Sequence, residues 1–427
     1  MEPGQNVTAT EHWKLPCGIE FAAMPLPDRH VVSFQIRVLA GTCTEPADRL
    51  GLARLVEETL DKGIERCSGR ELCDAFDAIG AVTRSGTGRE TITFTCTVLP
   101  EHFDRAVELH AEFLRTPTFP DDACRVAIEL AKQDLLSLED DPQGLADKLM
   151  SLRAYGPILG RHELGERRCL ETIDREDFLG FWRAKFHGGR LLVAMAGAVD
   201  PRKAADAFQS RFAGFGDAKP VGRSPHPLEF TPGATHQPKE LEQEQIGICW
   251  PGVSATDPEF PTQQVMLGVL SGGMSGRLFT EVRERLGLVY WVSASHETPR
   301  GHGMIFLGAS TTPERCDQTF QVLLREVDRL TDDLEPEEIQ RAVTGIVAGQ
   351  ETRGDSTRAR CGDLAGDLFH FGRPVPIEEK IAKIQAVTVD DVRRYLAYHP
   401  RDRVCVVTLG PRPLDGSSRA EYALHGN

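Results

Sequence analysis

The chain has 427 residues, enough for two or three domains that each close a full core. Its 40% hydrophobic and 26% charged residues are those of an ordinary globular protein, which excludes a disordered or fibrous chain. A formal net charge of −15 argues against a nucleic-acid backbone or an anionic membrane as main partner.

Eleven cysteines stand singly, with no Cys-x-x-Cys pair, which fits reduced thiols in a cytosol better than a disulfide framework. The leading residues Met1-Glu2-Pro3-Gly4-Gln5-Asn6 lack the basic start and apolar run of an export signal. No stretch approaches 18 uninterrupted apolar residues, so no membrane span is expected. The expected location is cytoplasmic.

Taken in chain order, residues 14–21 read as a hairpin-like start, and residues 31–38 alternate with β-branched residues as a strand does. Residues 51–63 follow as an amphipathic helix: Leu52, Val56 and Leu60, with Leu55 beside them, recur at helical spacing, and Gly63 ends it. On that helix Arg54, Glu57 and Glu58 share one face, because positions three and four apart are neighbours. A helix over 69–79, strands over 82–85 and 91–98, and long helices over 100–114 and 120–138 come next, the last carrying Asp134. Residues 156–161 and 164–165 read as a loop, 174–186 as a helix and 191–197 as a buried strand.

That last pair returns. Asp177-Phe178-x-x-Phe181 before the strand ending at Gly197 matches Asp391-Val392-x-x-Tyr395 before the one ending at Gly410, offset by 214 and 213 residues. The strand around Phe34–Val38 likewise has a counterpart at 245–250. A period this long predicts two homologous domains and no solenoid. The expected boundaries are residues 1–217 and 244–427, joined over 218–243, which is rich in Pro, Gly, Ser and charge. Each half is expected to be α+β, a mostly antiparallel sheet with helices packed on one face.

In the second half, Gly272, Gly273 and Gly276 form a glycine-rich turn leading into a helix that stops at Gly287. The turn lacks the Lys-Ser/Thr or Rossmann context of a phosphate cradle. Ser271 and Ser275 lack a nucleophile elbow, and no two histidines lie three or four residues apart as helical zinc ligands would. The acids at 335, 337 and 338 fit a helix start.

One local pattern is more specific. The context Gly51-Leu52-Ala53-x-x-x-Glu57-x-x-x-x-Lys62-Gly63 resembles the metal-binding helix of the insulinase-like (pitrilysin-type) zinc peptidases, and the resemblance runs from about residue 15 to 410. In that family an inverted motif, His-x-x-Glu-His, supplies two zinc ligands and the general base, and a glutamate downstream completes the site. Here Arg54 and Glu58 stand at the histidine positions, Glu57 at the base and Asp134 at the downstream ligand. Arginine cannot ligate a metal, and a set without imidazole suits zinc poorly. The residues themselves predict an Arg54–Glu58 ion pair, with Glu57 and Asp134 close enough to share the guanidinium.

The family also carries an Arg and a Tyr seven residues apart in its second half, here Arg283 and Tyr290, which there contact substrate near the scissile carbonyl. On the residues alone, the alternative is that Arg283 pairs with a neighbouring Glu and Tyr290 belongs to the core. The resemblance implies a non-catalytic subunit, similar to that of the mitochondrial processing peptidase. It would hold no cofactor itself and would pair as a heterodimer with a homologous zinc-bearing subunit, to which it presents peptide substrate through Arg283, Tyr290 and the loop of Gly272, Gly273 and Gly276. A purely structural core-type subunit of a larger complex is the alternative, and an active peptidase with an atypical metal site the third reading.

Overall fold

The computed structural model describes residues 10–415; the leading residues read above for an export signal lie outside them. The strands are β1 (Glu11–Lys14), β2 (Glu20–Pro25), β3 (Val32–Val38), β4 (Gly63–Ile64), β5 (Cys67–Ser68), β6 (Val82–Thr87), β7 (Ile92–Val98), β8 (Leu191–Gly197), β9 (Gly233–Pro238), β10 (Glu244–Gly252), β11 (Val289–Glu297), β12 (Gly303–Thr311) and β13 (Cys405–Gly410). The helices of the first half are α1 (Leu52–Thr59), α2 (Gly69–Asp77), α3 (Phe103–Arg115), α4 (Asp121–Glu139), α5 (Pro142–Leu159), α6 (Arg167–Leu170), α7 (Arg175–Lys185) and α8 (Pro201–Phe212). Those of the second are α9 (Phe260–Ser271), α10 (Cys316–Asp332), α11 (Pro336–Gly354), α12 (Thr357–Phe371), α13 (Ile377–Gln385) and α14 (Val389–Tyr398).

Two compact units result, one from residues 10–136, Arg161–Arg223 and Thr352–Val375, the other from Ser137–Gly160, Ser224–Glu351 and residues 376–415. Each is built on one sheet, in the order β1-β2-β8-β3-β7-β6 for the first and β11-β12-β10-β13-β9 for the second. Read from its far edge, the second repeats β2-β8-β3-β7-β6 strand for strand. Even the single parallel pair recurs, β2 with β8 and β9 with β13, while the other pairs are antiparallel. The architecture is α+β in two homologous halves.

Period-two alternation assigns the faces. In the first unit Phe21, Phe34, Ile36, Val193 and Met195 enter the main core under α1, α3, α7 and α8, while Ala22, Ala194 and Ala196 face the other way. That second face is not bare. It takes α12, whose Cys361, Leu364, Ala365 and Leu368 sit on the three alanines, with Cys361 Sγ 3.1 Å from the Ala194 carbonyl oxygen. Small side chains there let the helix approach the strands closely, and β8 is consequently buried along its whole length. In the second unit α5 occupies the equivalent position, packing on β10 and β13, and Met150 lies against Gly247, where a Cβ would come within 2.9 Å of its methyl.

These packings revise the expected boundaries. The segments 137–160 and 352–375 each belong to the unit of the other half, so a cut at 218–243 does not separate the units. The stretch read as a linker contains β9, which pairs along β13. Residues 156–159, read as loop, are the last turn of α5 beyond a kink at Gly156, whose φ of 77° is left-handed. The helix breaks at Gly156, and Pro157 opens the turn that follows, a position where its missing N–H leaves no helical bond unmade.

Candidate functional site

In the first unit α1 begins at Gly51, whose φ of 97° a side chain would strain. Its first free amides are met by a side chain six residues back: Glu45 Oε1 accepts from Gly51 N at 3.1 Å and Ala53 N at 2.8 Å. Leu52, Leu55 and Val56 are buried, which turns Arg54 and Glu58 outward together. Arg54 Nε donates to Glu58 Oε1 at 2.7 Å and Nη2 to Asp134 Oδ2 on α4 at 2.6 Å. Burial opposes the charge on Arg54, yet these two carboxylates hold it more firmly protonated than usual.

Glu57 does not join them. It turns inward, and Thr87 Oγ1 on β6 donates to its Oε2 at 3.4 Å. Burial pushes this carboxyl up, the Ser85 and Thr87 hydroxyls pull it down, and neighbouring Glu58 raises it again. Glu57 lies close enough for the Arg54 charge to pull its carboxyl down, as expected, but makes no hydrogen bond to the guanidinium, because the helix turn that aims Arg54 at α4 aims position 57 at the sheet. Sequence reasoning missed Glu163, which lies within the field of Arg54 and Glu58. It sits beyond α5, at no spacing a pattern would single out.

A zinc ion does not fit this arrangement. Glu58 and Asp134 each give one oxygen to the guanidinium, no imidazole stands at the site among the described residues, and a permanent cation fills the centre. Among the described residues, no cluster of three or more His, Cys, Asp or Glu side chains is arranged to hold a metal ion.

In the second unit the glycine turn closes α9. A Cβ on Gly272 would lie 2.3 Å from the Gly268 carbonyl oxygen, and Gly273 has a φ of 125°. The turn is fastened at its far end by Arg277: Nε and Nη2 reach Glu338 at 2.7 and 2.6 Å, and Nη1 reaches Asp333 at 2.7 Å. Against the burial that would raise them, this guanidinium holds both carboxyls below the usual range.

Residues 279–285 then form a wide π-helical turn where an ordinary helix was expected. It stacks Arg283 between two rings, with Cζ 4.8 Å from the Phe279 centroid and 5.1 Å from that of Tyr290. Tyr290 is neither core nor ladder. The register steps from Val289–Thr311 to Trp291–Ser310, so Tyr290 is the extra residue of a β-bulge on an edge strand. It is 78% exposed, as is Met274 on the glycine turn. Arg283 forms no ion pair among the described residues, so its five N–H donors and the Tyr290 hydroxyl are free to meet an incoming carbonyl or carboxylate.

Known proteins share this construction. The family description "Insulinase (Peptidase family M16)" matches residues 21–162, and "Peptidase M16 inactive domain" matches residues 172–346. An uncharacterized zinc protease of Rickettsia felis is 24% identical over 381 residues, covering 89% of this chain and 92% of its own. One from Streptomyces coelicolor is 26% identical over 424 residues, covering 96% and 91%. Among solved structures, a peptidase M16 inactive domain from Pseudomonas fluorescens superposes with a TM-score of 0.87 at 20% identity, covering 95% of this chain and 99% of the other. A chain of Complex III2 from Candida albicans gives 0.82 at 18% identity, covering 96% and 99%. The two matched regions fall in order along the chain and agree with its duplicated sheet topology: the chain belongs to the insulinase (M16) family of peptidases.

Proposed function

We propose that this chain is the substrate-binding, non-catalytic subunit of a two-chain metallopeptidase. The carrying observation is the pair Arg283 and Tyr290: one stacked on rings and without a carboxylate partner among the described residues, the other lifted out of its strand by a bulge. Both are polar donors fixed before substrate arrives, as carbonyl positioning requires. The site around Arg54 accepts no zinc, so hydrolysis falls to a homologous partner subunit bearing the metal. This chain orients an extended peptide against that centre, and the glycine turn at 272–276 is assigned to contact with its backbone.

The test mixes this chain with its purified partner and measures peptide cleavage. Arg283→Ala is expected to lower kcat/KM roughly 10²-fold, as loss of a carbonyl donor does, and Tyr290→Phe roughly tenfold. Rates equal to wild type in both variants overturn the reading.

The likeness to a chain of Complex III2 favours one second reading, a structural core-type subunit. Under it the pair has no role, and this chain co-purifies in a stable stoichiometric assembly whose formation both substitutions leave intact.

A further inference from the structure

Strands β10 and β13 set Cys249 directly opposite Cys405. Their strand neighbours Ile248, Val404 and Val406 enter the core of the second unit, so both thiols lie on the reverse face, the one covered by α5. The two cysteines are free and fully buried. From α5, Arg153 directs its Nε to Cys405 Sγ at 3.2 Å, and its Nη2 donates to the Pro232 carbonyl oxygen at 2.9 Å, which fixes the guanidinium.

The environment separates the two sulfurs. Burial pushes the Cys249 thiol well up, and its bond to Cys405 pushes it further. Cys405 is pulled down by that same bond and, against burial, by Arg153. Of the two sulfurs, Cys405 is therefore the more readily deprotonated and Cys249 the one that holds its proton more firmly. No such division exists at Cys43 or Cys96, where burial pushes the thiol up to about 12. Directly opposed residues of an antiparallel pair have Cα atoms about 4.5–5.5 Å apart, inside the roughly 4.4–6.8 Å that a disulfide spans.

We propose that Cys249 and Cys405 form a reversible cross-strand redox pair, oxidised to a disulfide by a peroxide, with Cys405 attacking and Cys249 resolving. The Cys405 thiolate attacks one peroxide oxygen, the O–O bond breaks, and hydroxide leaves to take up a proton as water. Cys249 sulfur then attacks the resulting sulfenic acid; its own proton and the sulfenic hydroxyl depart as a second water as the S–S bond forms. Two thiols are oxidised by two electrons and one peroxide is reduced, and a dithiol reductant reverses the change. Oxidation removes the thiolate from beneath Arg153 and pins β13 to β10. The pair is independent of the peptidase reading.

The experiment treats the reduced full chain with hydrogen peroxide, alkylates remaining thiols and maps non-reduced peptides by mass spectrometry. A Cys249–Cys405 linked peptide, lighter than its two halves by two hydrogens and released by dithiothreitol, is expected. Arg153→Gln is expected to slow its formation roughly tenfold, because the attacking sulfur loses its cation, while Arg153→Lys keeps most of the rate. In Cys249→Ser, dimedone should capture a sulfenic acid on Cys405. Absence of the linked peptide while exposed Cys73 is oxidised overturns the proposal, as does an unchanged rate in Arg153→Gln. Should a variant fail to fold, the wild-type peptide map alone decides.

Discussion

A guanidinium and an imidazole both carry nitrogen, but only the imidazole offers a lone pair to a metal, and position 54 carries the guanidinium. The geometry then converts would-be ligands into counter-ions: Glu58 and Asp134 each satisfy one side of the fork. Because Glu58 and Asp134 are 31% and 45% exposed, this cluster is a modest stabiliser. Arg54→Ala is expected to lower stability by about 1 kcal/mol, with the loss shrinking at high salt, checked by urea unfolding at two ionic strengths. Glu57→Gln keeps an acceptor for Thr87 and removes a carboxyl that burial disfavours, so unfolding should shift by less than about 1 kcal/mol. A shift several times larger would mean that the attraction of Arg54 for the Glu57 charge outweighs the cost of its burial.

Helix α1 has a carboxylate for a cap, and that makes its anchoring dependent on pH. Glu45 is 5% exposed, and burial pushes its carboxyl from the usual 4.5 up to about 7, against the Ala53 and Gly51 amides. Its folded-state value lies above its unfolded one, so the folded chain holds the extra proton between them. The contribution is complete below about pH 4.5 and is lost as pH rises through about 7. The span corresponds to at most about 3 kcal/mol. Glu45→Gln should flatten that part of the stability–pH profile in thermal unfolding; an unchanged slope would remove Glu45 as its source. The glycine turn is held differently, by Arg277 between Glu338 and Asp333. Arg277→Met should cost roughly 2–3 kcal/mol in urea unfolding, less than a fully buried pair would because Asp333 is 43% exposed.

At the scale of the whole molecule, each sheet borrows a helix from the other half of the chain. The alanines under α12 mark this: Ala194→Leu is expected to destabilise by about 2 kcal/mol through overpacking, measured by denaturant unfolding. A fragment of residues 1–217 lacks α12 and would expose Ala22, Ala194 and Ala196. It should bind a hydrophobic dye and lack the near-ultraviolet dichroism of the full chain, whereas a well-ordered fragment would show the borrowed helix to be dispensable.

Local pattern alone determined much of this protein. The strands at β3, β7 and β8, the helices at α1, α4 and α7 and the duplication all follow from periodicity, caps and breakers, because those signals act within a few residues. The Arg54–Glu58 contact was equally legible, since helical spacing sets it. Tertiary structure alone decided the rest. Which half a helix serves depends on where small residues open a sheet face, as the alanines do for α12. The inward turn of Glu57, the bulge that lifts Tyr290 and the meeting of Cys249 with Cys405 depend on which strand lies opposite, and pairings between residues far apart in sequence leave no local trace.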